Sequence, residues 1–91
     1  MTGLIRKHMV FSGAVQGVGF RWRARRAAEA VGATGWVRND PEGTVTMELQ
    51  GSEAQIESVL AAIERGQYVR IEDVETRSLP PVKNERDFFY A

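Results

Sequence analysis

Gly13-Ala14-Val15-Gln16-Gly17-Val18-Gly19-Phe20-Arg21 reads as the end of a strand, a glycine-rich turn and an arginine that opens a helix. Glycine permits the dihedrals of a tight turn and lets a ligand approach the backbone closely, so successive N–H groups can point to one side. The helix start that follows adds a partial positive charge. Arg21 contributes a planar, permanently charged fork that matches phosphate oxygens. The stretch therefore marks a strand-to-helix junction and a candidate pocket for a phosphoryl group.

Upstream, residues 7–13 alternate, with Met9 and Phe11 on one face and His8, Val10 and Ser12 on the other, which predicts a first strand. Downstream, Phe20, Ala24, Ala27, Ala28 and Val31 fall at helical spacing and predict a helix ending near Gly32. Thr34 to Asn39 reads as a short strand, and Asp40-Pro41-Glu42-Gly43 has the proline and glycine of a reverse turn. Val45, Met47 and Leu49 alternate with Thr44, Thr46, Glu48 and Gln50, which predicts a half-buried third strand with one apolar face, closed by Gly51. Ser52 followed by Gln55 is a capping-box pattern, and Ile56, Val59, Leu60 and Ile63 form the apolar stripe of a second helix ending at Gly66. A fourth strand is expected over about 69–76. Pro80-Pro81 breaks regular structure, a mobile loop is expected over 80–85, and Phe88-Phe89-Tyr90 reads as a fifth, edge strand. This order predicts an α+β fold, a ferredoxin-like βαββαβ sandwich in which both helices cover one face of an antiparallel sheet. Residues 1–91 are expected to form a single domain.

Composition narrows the function classes. The 91 residues include no cysteine, which excludes a disulfide framework, a thiolate nucleophile and a thiolate zinc site. Twelve Lys and Arg balance twelve Asp and Glu, so no general basic excess favours nucleic acid. No apolar run approaches the roughly 20 residues that span a bilayer, and no signal segment is evident. The expectation is a cytoplasmic monomer with no membrane or nucleic-acid partner.

In the predicted fold the first and third strands are central, so the loop leaving strand one lies near residues of strands two and three. Arg21 and Asn39 are therefore expected to converge. The Asn39 carboxamide can accept one hydrogen bond and donate another, which suits it to orient a water. With a phosphoryl group in the turn, Arg21 and the backbone amides would neutralise its oxygens while Asn39 holds water in line for attack.

Together with Gly35-Trp36-Val37-Arg38-Asn39-Asp40-Pro41-Glu42-Gly43-Thr44-Val45, the glycine-rich stretch closely resembles the acylphosphatase family: both motifs occur in the family's order and approximate spacing. The resemblance implies cleavage of a carboxyl-phosphate anhydride to a carboxylate and inorganic phosphate, with no cofactor, metal or covalent intermediate. It implies that Arg21 binds phosphate, that Asn39 orients the water, and that the backbone of Gln16, Gly17, Val18, Gly19 and Phe20 forms the substrate-binding cradle. Glu42 stands where the family more often has aspartate, and strand alternation should aim Asp40 away from the pocket. The chain leaves little material for an acyl pocket, so broad specificity is expected.

Other features have simpler readings. The arginines after Arg21 are read as a solvated helix face whose charge can draw in anionic substrate. His8 is read as structural or a surface residue, Trp22 and Trp36 as packing or shielding the pocket's edge, and Phe88 to Tyr90 as anchoring the terminus. Ser12 and Ser52 lack the partners of a nucleophile. The alternative from another class is a noncatalytic RNA- or anion-binding module of the same strand order, but the third strand carries no aromatic for base stacking and does carry Glu48. A third reading is a detached domain like the amino-terminal part of hydrogenase-maturation carbamoyltransferases, without the cysteine-rich regions that would follow.

Overall fold

The computed structural model describes residues 3–91. Its elements run β1 (Ile5–Ala14), α1 (Phe20–Val31), β2 (Thr34–Asn39), β3 (Val45–Gly51), α2 (Glu53–Glu64), β4 (Arg70–Leu79) and β5 (Phe88–Tyr90), and the sheet order is β4-β1-β3-β2-β5. The ferredoxin-like α+β plan is present, and no described helix is long and apolar enough to cross a membrane. The fifth strand corrects one expectation. β5 pairs parallel to β2, with Gly35 opposite Phe88 and Val37 opposite Tyr90, so the sheet is mixed rather than antiparallel. The loop from 80 to 87 crosses from the β4 edge of the sheet to the β2 edge, so β5 still runs opposite to β4 but lies parallel to its new neighbour β2.

Alternation explains the layering. Met9 and Phe11 of β1, Val37 of β2 and Val45, Met47 and Leu49 of β3 are all buried and meet Phe20, Ala24 and Ala28 of α1 and Ile56, Val59 and Ile63 of α2. Phe11 packs edge-on against Phe20 at 4.9 Å between ring centres, which joins the sheet to the first turn of α1. Ser52 caps α2 as its sequence predicts: its hydroxyl accepts from the Gln55 amide at 3.1 Å, and the Gln55 side chain accepts from the Ser52 amide at 2.7 Å. Strands β1 and β4 run longer than periodicity indicates, since β1 is paired on both sides and β4 continues to Leu79 opposite Arg6. The β4 side chains are mostly exposed, so its length leaves no apolar alternation to read.

The outer face of β3 departs from the half-buried expectation, because Thr46 and Gln50 are buried as well. A polar layer covers them. Arg6, 3% exposed, donates to Glu48 at 2.9 Å, to Gln50 at 3.0 Å and to Glu85 at 2.8 Å. Gln50 accepts from the Val82 amide at 2.8 Å and donates to its carbonyl at 2.9 Å. The expected mobile loop is thus tied to the sheet through Val82 and Glu85. His8 shares Glu48 with Arg6 at 2.7 Å, in keeping with a structural role.

Burial pushes the Glu48 carboxyl up, but hydrogen bonds from His8 and Arg6 and their charge outweigh it and hold Glu48 below its ordinary value. A carboxyl depressed in the folded state stabilises the protein above its unfolded value and loses that contribution as pH falls through the depressed one. The unfolding midpoint should therefore fall as pH drops below about 4, and thermal unfolding of Glu48→Gln should show a shallower acid dependence than the parent. Arg6→Ala leaves the partly buried Glu85 without its ion-pair partner and Glu48 with His8 alone, and should lower stability by about 3 kcal/mol in denaturant titration.

Candidate active site

β1 ends in a turn that only glycine builds without strain. Gly17 and Gly19 have φ of 72° and 86°, and a side chain at either position would project into open space rather than into neighbours. The requirement is conformational, not a matter of crowding. Gly19 is also the N-cap of α1 and supplies no side-chain cap, so the first amides of a 12-residue helix face outward without a capping oxygen. Phe20, 1% exposed, anchors that first turn in the core. Arg21, the next residue, is exposed.

These groups line a concave pocket of about 230 Å³ with Val15, Trp22, Asn39 and Tyr90. Gly17, Gly19, Phe20, Arg21 and Asn39, assigned to one site from sequence, thus come together at one mouth. Asn39 reaches it because it shares the helix-facing side of β2 with buried Val37. The side chains of Gln16 and Val18 do not line the pocket: Val18 packs partly buried against the core. Gln16 Nε2 donates to the carbonyls of Asp40 at 2.7 Å and Thr44 at 2.9 Å, tying the turn after β1 to the turn between β2 and β3.

Asp40 points away from the pocket, as alternation requires. Its carboxylate accepts from Thr46 at 2.7 Å, Thr44 at 2.8 Å and Arg38 at 3.0 Å. Burial alone would raise its pKa, but these hydrogen bonds and the Arg38 charge keep it below the ordinary value. The reverse turn closes through the Gly43 amide to the Asp40 carbonyl at 3.1 Å. Asp40 is therefore an ionised post that fixes the turn beside Asn39.

Two aromatic assignments change. Trp36 lies on the opposite face of the sheet, with its ring 6.4 Å from His8 and under Arg38, so it does not border the pocket. Tyr90 does border it, with the guanidinium of Arg21 5.6 Å from its ring centre. Sequence reasoning treats Tyr90 as part of a terminal anchor because a three-residue strand has too little pattern to give a register. The parallel pairing opposite Val37 turns Tyr90 toward α1. Trp22 lines the mouth as expected.

A family model described as acylphosphatase matches residues 7–89. An acylphosphatase of Clostridium acetobutylicum is 40% identical over 77 residues, 84% of this chain and 85% of that protein. One of Roseiflexus sp. (strain RS-1) is 37% identical over 89 residues, 97% of this chain and 96% of that protein. The crystal structure of acylphosphatase from Bacillus subtilis matches with a TM-score of 0.85 at 25% identity, covering 96% of this chain and 98% of that one. With sequence likeness that runs through both motifs and nearly the whole of its relatives, and with their fold, the chain belongs to the acylphosphatase family of enzymes.

Proposed function

We propose that the protein hydrolyses acyl phosphates to a carboxylate and inorganic phosphate, with the phosphoryl group held by Arg21 and the backbone from Gln16 to Phe20. The observation that carries this reading is that Arg21 from α1 and Asn39 from β2 line the same pocket above the Gly17 and Gly19 turn. Asn39 orients a water opposite the carboxylate oxygen. The water oxygen forms a new bond to phosphorus as the bond to the carboxylate oxygen breaks. The departing carboxylate takes the bonding electrons, and the water's proton passes to the phosphate.

A carboxylate is a weak base and departs without a strong general acid, which accords with the lack of a histidine in the pocket. The remaining demand is stabilisation of charge on the transferring group, supplied by preorganised amides, the open start of α1 and Arg21. That balance needs no metal ion, so turnover should persist in the presence of a chelator. The proposal extends to a monomer acting in the cytoplasm on a free small-molecule substrate.

Gln16 is a positioning residue in this scheme, because its side chain joins the cradle to the turn that carries Asn39. Steady-state hydrolysis of acetyl phosphate, corrected for spontaneous breakdown and run with chelator, tests the assignments. Arg21→Ala should lose about 10³-fold or more in kcat/KM and Asn39→Ala about 10²–10³-fold, with circular dichroism unchanged. A folded variant that keeps most of its turnover removes that residue from the mechanism. Salt-sensitive RNA binding by a folded but inactive parent would overturn the reading altogether. Gln16→Ala should lower kcat about tenfold at temperatures well below its unfolding midpoint, while losing about 1 kcal/mol of stability for each hydrogen bond removed.

A further inference from the structure

A second concavity of about 220 Å³ adjoins the pocket and shares Trp22 and Tyr90 with it; its other lining residues are Arg25, Arg26 and Glu29. Trp22, Arg25, Arg26 and Glu29 fall at the spacing of one helical face, so α1 itself builds this wall. Two exposed aromatics form its sides, Trp22 at 54% and Tyr90 at 42% exposure. Each carries a guanidinium: Arg26 lies 4.9 Å from the Trp22 ring centre and Arg25 lies 5.2 Å from that of Tyr90. Glu29 takes Nε of Arg25 at 3.2 Å. Arg26 has no carboxylate partner among the described residues. The hollow is therefore cationic on balance even though the chain as a whole has a formal net charge of zero.

We infer that this hollow is an acyl-group subsite selecting acyl phosphates that carry a second anionic group at the far end of a short chain. The inference rests on the reading of the neighbouring pocket as the phosphoryl site. Arg25 stands one helical turn beyond Arg21, about 6 Å along the axis, and in an acyl phosphate with two methylenes before a second carboxylate the span from phosphorus through the bridging oxygen to the distal carboxyl carbon is comparable. The aromatic walls flank the chain, and the terminal nitrogens of Arg25 and Arg26 meet the distal anion. Because the hollow is open to water, the selection is graded and salt-sensitive rather than absolute.

The test compares succinyl phosphate with its terminal methyl ester, a neutral molecule of nearly the same shape. At low ionic strength the charged substrate should have a kcat/KM about fivefold higher, the gain expected from two exposed charge contacts. The ratio should fall toward one in the Arg25→Gln, Arg26→Gln double variant, and also in the parent protein at high salt, which requires no substitution. Equal values for both substrates in the parent at low salt overturn the subsite while leaving acyl-phosphate hydrolysis standing. Failure to hydrolyse either substrate overturns the functional reading and the subsite with it. A ratio that survives both the double substitution and high salt shows that the preference arises elsewhere and removes these arginines from it. Where succinyl phosphate shows the gain, replacing its distal carboxylate with a phosphate monoester asks whether the subsite reads charge alone, and a gain of similar size over the neutral counterpart shows that it does.

Discussion

Everything at the site depends on the antiparallel pairing of β1 with β3. Phe11 faces Val45 at the end of that ladder, so the chain leaving β1 is delivered beside the chain entering β3. The glycine turn and the turn after Asn39 are neighbours for this reason alone, although they are separated in sequence by the whole of α1 and β2. Backbone pairing sets their approach to within the freedom of two loops. Gln16 removes much of what remains, because its amide donates to two carbonyls of the facing turn. The carboxylate of Asp40 then fixes that turn from behind through three donors.

The two faces of the sheet are buried by different means. On the helix side, apolar side chains at alternate positions exclude water in the ordinary way. On the other side no helix lies among the described residues, and Arg6 organises carboxylates from β3 and from the loop before β5. Burying such charges is favourable only when each is paired and hydrogen-bonded, and every buried side-chain nitrogen and oxygen among the described residues has a partner. The arrangement also holds the chain on its way across this face: the loop is anchored at Val82 and Glu85 between β4 at one edge of the sheet and β5 at the other. Tyr90 reaches the pocket because the register of β5 on β2 sets it opposite Val37.

Electrostatics at the site is local rather than global. Opposite charges cancel over the whole chain, yet the outward face of α1 gathers arginines around the mouth, and the ionised Asp40 nearby is held by its own donors on the reverse side of β2. A negative group approaching the mouth meets the helix start, Arg21 and then Arg25 and Arg26, while Asp40 spends its charge on Arg38 and two hydroxyls. The single residue between Arg38 and Asp40 is Asn39. Strand alternation thus separates a neutral polar group that faces the pocket from the charges that hold it there.

Sequence alone determined α1, β2, β3 and the start of α2 closely, because each has a period, a cap or a turn residue within its own span: Gly32 after Val31, Ser52 with Gln55, Pro41 and Gly43 after Asn39. It also grouped Gly17, Gly19, Arg21 and Asn39, which line one pocket in the fold, because their motifs resemble those of one family. Tertiary structure decided what local pattern could not encode. The direction of β5 and the place of Tyr90 depend on the register of β5 on β2, which is distant in sequence. The length of β4 depends on its partner strand, because an exposed edge carries no hydrophobic alternation. The side-chain role of Gln16 became legible only when its amide met two carbonyls across the cleft, for one glutamine has many partners within reach in a chain and a unique set only in a fold.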